Sequence, residues 1–345
     1  MDFTVFLFLL QDGIINGAIY ALVALALVLV FAVTRVILIP QGEFVAFAAL
    51  TVAALENGQL PGTVWLLLTL GVLAAASEIA LYRRELSWHR LGRIAAFDLA
   101  VPVCFAFLTW AVAPMKPGPF AASATAILLI LPMGSMIYRI AFLPIATSSV
   151  LVLLIAAFGV HFSLIGVGLL FFGPEGVGTE PFSAETFSVG SIVVTAQSLI
   201  ALCVTLVLIL IFAVFFSYSL LGKALRASAS NRIGARLSGI PVELAGQAAF
   251  TIAAGLGAVS GVLIGPLMTI YYDSGFLIGL KGFVAAILGG LTSYPLTVAG
   301  SLIVGFSEAM FSFWASAFKE VLVFSLIIPI LLWRSLSTTS SGEHG

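Results

Sequence analysis

The sequence predicts an all-α fold: a polytopic transmembrane helix bundle of about 9–11 spans with short broken or re-entrant helices. Three observations carry this. Hydrophobic residues make up 61% of 345 positions and charged residues 8%, at a mean hydropathy of +1.22, where soluble domains average about 25% charged residues. Apolar runs of spanning length recur along the whole chain. Two of the runs, the second and the ninth, are short and punctuated by Gly. A net charge of −1 gives no nucleic-acid footprint.

The runs lie near 13–34, 42–56, 63–82, 94–113, 120–138, 148–171, 191–218, 242–270, 276–291, 296–315 and 319–333. The opening residues Met-Asp-Phe-Thr lack a basic n-region, so the first run is expected to remain as a helix. It ends at Arg35, and RVILIPQGE (35–43) is expected to break at Pro40 and Gly42 before a short second segment. Cys104 and Cys203 sit in apolar runs and are read as small buried hydrophobes, not as a disulfide or a metal site. Segment 173–190 carries Glu175, Glu180 and Glu185 without Lys or Arg. The basic interval 222–241, GKALRASASNRIGARLSGIP, is the longest polar stretch on its side; Asn231 to Leu237 are expected to form a short surface helix, and Pro241 stops the interval. Gly257, Gly261 and Gly265 then recur every fourth residue, a spacing that lets helix backbones approach in lipid. A second broken stretch, Asp273 to Pro295, is glycine-rich, and such interruptions are where transporters place substrate-facing backbone. No second copy of the first half is evident in the second. The organisation read from this is one transmembrane domain over 1–336, with a disordered tail at 337–345.

Basic residues concentrate on the cytoplasmic side of membrane proteins. An outside start places 11 of the 14 Lys and Arg on one side, with 222–241 cytoplasmic and 173–190 outside. The expected orientation has the amino terminus outside and the carboxyl terminus cytoplasmic.

Ionisable residues inside a bilayer are costly, at about 2.5–3.5 kcal/mol each on insertion scales. Glu43 and Glu308 are read as lining a path or pairing across the bundle, and Lys281 has Asp273 and Glu308 as candidate counter-charges. Glu78 and Asp98 are expected to be neutralised by Arg83 and Arg93, and His161 is read as a lone packing residue. His89, His161 and His344 are scattered, and no nucleophile elbow or paired catalytic carboxylates stand out, so neither an enzyme nor a metal site is expected. No G-x-x-x-x-G-K-[ST] run occurs, and Lys281 in GLKGF fails that pattern. An ion-coupled secondary transporter using Glu43, Asp98 and Glu308 is the alternative; it leaves the surface helix after Lys223 unexplained.

Four stretches carry a family resemblance. In the basic loop they are Arg226, Ala227, Asn231, Arg232, Ala235, Gly239 and Ile240; near the start, INGAIYALVALALVLVFAVTR followed by PQGEF; at 138–144, YRIAFLP; near the end, KGFVAAILGGLTSYP and then GFSEAM. Their residues and order resemble the branched-chain amino acid permeases of ABC importers. The resemblance implies a transmembrane permease subunit that needs no cofactor of its own, because ATP is bound by partners. Those partners are two cytoplasmic ABC ATPases docking on the 222–241 coupling loop, a second identical or homologous permease, and a periplasmic substrate-binding protein. Gln41, Gly42, Glu43, Lys281, Gly282 and Glu308 fall in the motif stretches and are candidates for the translocation path. The chain departs from the family in carrying Gln41 where many relatives have His, and 84–135 resembles a two-span insertion. Relatives also include permeases for urea and short amides.

Overall fold

The computed structural model describes residues 3–83, 87–189 and 192–332. The expected tail, 337–345, lies outside them. Among the described residues eight helices are long and apolar enough to cross a membrane. In chain order the elements are α1 (Phe3–Thr34), α2 (Gln41–Glu56), α3 (Thr63–Leu81), α4 (Trp88–Ile94) running through a π turn (Ala95–Ala100) into α5 (Val101–Val112), and α6 (Pro119–Ile137) extended by a π turn (Tyr138–Phe142). Then follow α7 (Val150–Phe172), a hairpin of β1 (Thr186–Val189) and β2 (Ile192–Thr195), α8 (Ala196–Tyr218), α9 (Leu220–Ser230), α10 (Arg232–Leu237), α11 (Val242–Ile264), α12 (Ser274–Leu288), α13 (Tyr294–Trp314) and α14 (Lys319–Ser325). The first helix starts ten residues before the expected boundary. At 32 residues it is about 48 Å long, against a hydrocarbon core of about 30 Å.

Glycine contacts fix the helix directions. Gly13 faces Phe306 and Gly17 faces Leu302, so α1 and α13 are antiparallel. Gly257 packs on Gln41 and Phe44, and Gly261 on Val45 and Ala48, so α2 runs parallel to α11. Lys281 reaches Glu308 while Gly300 lies against Leu288, so α12 opposes α13 and runs with α1. The α1 amino terminus, the hairpin and the α11–α12 connection therefore share one face, with Gln11 Nε2 donating to the Val193 carbonyl at 3.4 Å. The turn after α6 and α9–α10 share the opposite, basic face.

The core is two related units of inverted direction. A long helix, a non-helical stretch and a short helix occur as α1–α2 and again as α11–α12. Each short helix lies against the other unit's long helix: Gly261 of α11 faces α2, and Gly282 of α12 faces Val23 of α1. The short helices meet reciprocally at their amino ends, where a Cβ on Gly42 would overlap the Gly275 carbonyl and one on Gly275 would press on the Gly42 carbonyl. Sequence comparison of the two halves misses this repeat because it lies in backbone direction and small-residue placement, not in residue identity.

The outer helices α5, α7 and α8 bury only a fifth or so of their spanning windows and present apolar side chains outward, as lipid-facing helices do. Cys104 and Cys203 are free, as expected, but exposed on this outer surface and not buried; both belong to the helices with the least protein around them.

Close backbone approach makes Gly261 intolerant of a side chain, because its obstacle is the Val45 main chain, which cannot rotate away. Gly166 on α7 has nothing within 4 Å. Gly261→Ala is expected to cost about 1–3 kcal/mol through overpacking. Gly166→Ala should be neutral or slightly stabilising through helix propensity. Thermal unfolding of the two detergent-purified variants, side by side, measures the difference.

Candidate functional site

On the basic face the chain leaves α8 at Ser219, whose hydroxyl accepts from the Gly222 amide at 2.9 Å and starts α9. Asn231 ends α9 and caps α10, its side-chain oxygen accepting from the Gly234 amide at 2.9 Å. At the far end Gly239 adopts φ 81°. The Ile240 amide donates to Ala235 and the Gly239 amide to Arg236, a paired closure that requires a left-handed residue at this point. Asn231, Gly239 and Ile240 thus hold a six-residue helix that is too short to persist alone. Arg232 donates to the Ala146 carbonyl at 3.1 Å, tying α10 to the turn after YRIAFLP. Ala235 faces inward, while Ile233 and Leu237 project outward at 76% and 84% exposure. Arg226 and Ala227 lie on α9, Arg226 exposed and Ala227 half-buried.

Beside α10 an open groove of about 440 Å³ runs between the ends of α3 and α6 and the start of α11. Tyr82 donates to Glu243 at 3.1 Å and Arg236 stands 3.9 Å from the same carboxylate. Deeper in, Arg139 binds Asp98 through both terminal guanidinium nitrogens, one at 2.8 Å, and Glu78 at 3.1 Å. Arg139, and not Arg93 as expected, neutralises Asp98. Arg139 and Asp98 occupy the two π turns, whose wide backbone re-aims side chains relative to an α-helical register. The expectation paired residues by sequence proximity, whereas the π turns bring α4–α5 and α6 together.

The candidate path residues fall into two clusters. Gln41, Gly42 and Glu43 form the first turn of α2. Gln41 Nε2 donates to the Ala253 carbonyl at 2.9 Å in the space left by Gly257. Glu43 is 1% exposed, and its Oε1 stands 2.7 Å from His161 Nδ1 on α7. His161 is therefore not alone, as the sequence reading had it; its ring lies 4.7 Å from that of Phe276 on α12. Gly265 faces Thr179, whose segment closes over the end of α11. The second cluster joins α1, α12, α13 and α14. Lys281 bonds Glu308 at 2.6 Å and Glu320 at 3.1 Å, and Tyr20 donates to Glu308 at 2.6 Å. Of the two expected counter-charges for Lys281, Glu308 is the one engaged. Tyr20, Glu320, Arg139 and the His161 partner escaped the sequence reading; an ionisable residue in an apolar run demands a buried partner, but nothing in one sequence says which.

A helix bundle with polar clusters along its spanning helices and discontinuous short helices at its centre is a multi-pass membrane transport protein. The family model for the permease component of the branched-chain amino acid transport system matches residues 85–331. High-affinity branched-chain amino acid transport system permease proteins are similar: LivH of Salmonella typhimurium is 34% identical over 221 residues, covering 60% of this chain and 70% of that protein. LivH of Escherichia coli K12 is 28% identical over 354 aligned residues, covering 95% and 94%. BraD of Pseudomonas aeruginosa is 31% identical over 221 residues, covering 62% and 72%. The chain belongs to this branched-chain amino acid transport permease family.

Removing one partner of a buried ion pair strands the other, at a cost of about 3–5 kcal/mol. Arg139→Leu, which strands the fully buried Asp98, is therefore expected to lower the yield of folded protein sharply. The double change Asp98→Ala with Arg139→Leu should recover much of it, as read by size-exclusion profile and thermal stability in detergent.

Proposed function

We propose that the chain is the transmembrane permease subunit of an ABC importer moving branched-chain or related amino acids into the cytoplasm. The observation that carries this is α10: a helix capped at both ends, anchored to the bundle by Arg232, and offering Ile233 and Leu237 to something outside the chain. An exposed apolar pair on a rigid basic element suits a cytoplasmic protein surface. Family membership supports the same reading. Two ATPase subunits dock there and bind the ATP, so the permease needs no cofactor. A second permease completes the pore and a periplasmic binding protein delivers substrate. The protein then lies in the inner membrane with the amino terminus outside and the carboxyl terminus cytoplasmic, which keeps the basic face inside.

Mechanically, force on α10 passes by two routes. Arg232 transmits it to the turn after α6, and the closure at Gly239 and Ile240 hands it to α11. Because α11 carries α2 along its glycine face, its displacement moves both short helices as one body. The path between the two permeases opens alternately to each side as the units rock.

Purification in mild detergent followed by mass spectrometry should recover P-loop ATPases and a permease partner in stoichiometric amounts. In proteoliposomes with the binding protein, leucine uptake should require ATP. Uptake by the isolated chain on an ion gradient without ATP would overturn the proposal.

The double change Asn231→Ala with Arg232→Ala removes a cap worth about 1 kcal/mol and the anchor to Ala146. Uptake should fall at least tenfold while membrane insertion is unchanged. Faster amide exchange confined to 231–240 would place the loss in α10.

A further inference from the structure

Near its amino end α1 carries Asp12, Asn16 and Tyr20 one turn apart, a polar stripe on a mostly apolar spanning helix. Across from it α13 presents Glu308 and Ser312, also one turn apart, and α14 begins at Lys319. Between them lies an open groove of about 350 Å³. It sits on the face opposite the coupling helix, because α13 ends there beside the start of α1.

The charges in this groove do not cancel. Lys281 and Lys319 are set against Glu308 and Glu320, at 2.6 and 3.1 Å for Lys281 and 3.8 and 3.7 Å for Lys319. That quartet is neutral. Asp12 is exposed and makes no ion pair among the described residues, so the groove holds one carboxylate in excess. Lys319 is held only at the outer limit of ion-pair distance, so its ammonium can turn to another anion without breaking a tight bond. Leu9 and Phe313 supply apolar walls at the same level. An excess carboxylate, a loosely held ammonium and an apolar wall match the three parts of an aliphatic α-amino acid.

We propose that this groove is a substrate subsite for a zwitterionic aliphatic amino acid. Its ammonium group is received by Asp12 and the Asn16 side-chain oxygen, its carboxylate by Lys319, and its side chain lies against Leu9 and Phe313. The proposal rests on the amino-acid reading above and adds the residues that would recognise the substrate within the permease itself. The Lys281–Glu308–Tyr20 cluster is then the floor of the subsite, already satisfied and holding the wall in place.

The test uses Ser312→Cys, an exposed and small change, in the assembled permease–ATPase complex in nanodiscs. Modification by a charged, membrane-impermeant methanethiosulfonate is followed at the peptide bearing residue 312 by mass spectrometry. The expected result is that millimolar leucine slows labelling at least fivefold. Leucine amide, which lacks the carboxylate, and 4-methylpentanoate, which lacks the ammonium, should not. Adding Asp12→Asn should abolish protection by leucine, and Asp12→Glu should restore part of it. Labelling that leucine leaves unchanged, or a cysteine the reagent never reaches, overturns the subsite. If the parent complex meanwhile still takes up leucine with ATP, the importer reading stands without it. A parent complex that takes up no aliphatic amino acid removes both.

Discussion

Everything in this fold depends on how a backbone can leave the helical hydrogen-bond ladder inside a solvent that offers no partners. A lipid-exposed amide or carbonyl costs several kcal/mol, yet 35–40 and 265–273 are non-helical in both units. The first is tolerated because the protein itself encloses it; the second lies at the end of the bundle, with Leu267, Met268, Tyr271 and Asp273 exposed. Val36 and Leu38 are buried. The Val177 and Ile270 backbones bond each other in both directions at 2.8–2.9 Å, and the Thr179 amide reaches the Gly265 carbonyl. Such enclosure needs main chains nearly in contact, which only glycine permits at Gly42, Gly275 and Gly261. The broken helices and the small-residue stripes are one device seen from two sides.

From that device the placement of the polar clusters follows. Where a short helix begins, its unpaired amides make a positively polarised end that favours a carboxylate, and Glu43 occupies that position on α2. His161 then gives the same carboxylate a partner from an outer helix. Lys281, next in sequence to the glycine contact at Gly282, finds Glu308 because α12 and α13 are antiparallel at that level. The apolar surroundings leave each such residue one acceptable state, which is to be paired.

Much of this was legible in the residues. Most span positions, the broken segments, the helix at Asn231–Leu237 and the need for a counter-charge to Lys281, left open between Asp273 and Glu308, follow from hydropathy, Gly/Pro placement and the cost of buried charge. The short helix of the basic loop was legible for a local reason: caps and closures such as Asn231 and Gly239 act within five residues. What stayed hidden is non-local. The Arg139–Asp98 pair depends on two π turns, whose extra residue leaves no compositional mark. The inverted relation of α1–α2 to α11–α12 survives only in the directions of helices. The two cysteines read as buried because apolar context in a membrane protein does not distinguish a core from a lipid-facing side.

The two kinds of contact divide the molecule mechanically. Where glycine brings backbones together, as between α2, α11 and α12, any relative shift collides main chain with main chain, and that block is stiff. Where side chains bridge, as from His161 of α7 to Glu43 or from Arg139 to Asp98, rotamers can absorb a displacement of an ångström or so at modest cost. The outer helices are thus sprung mounts around a rigid central gear. A displacement at one end of α11 would therefore reach the paired short helices with little loss, whereas the side-chain bridges to the outer layer would absorb part of it.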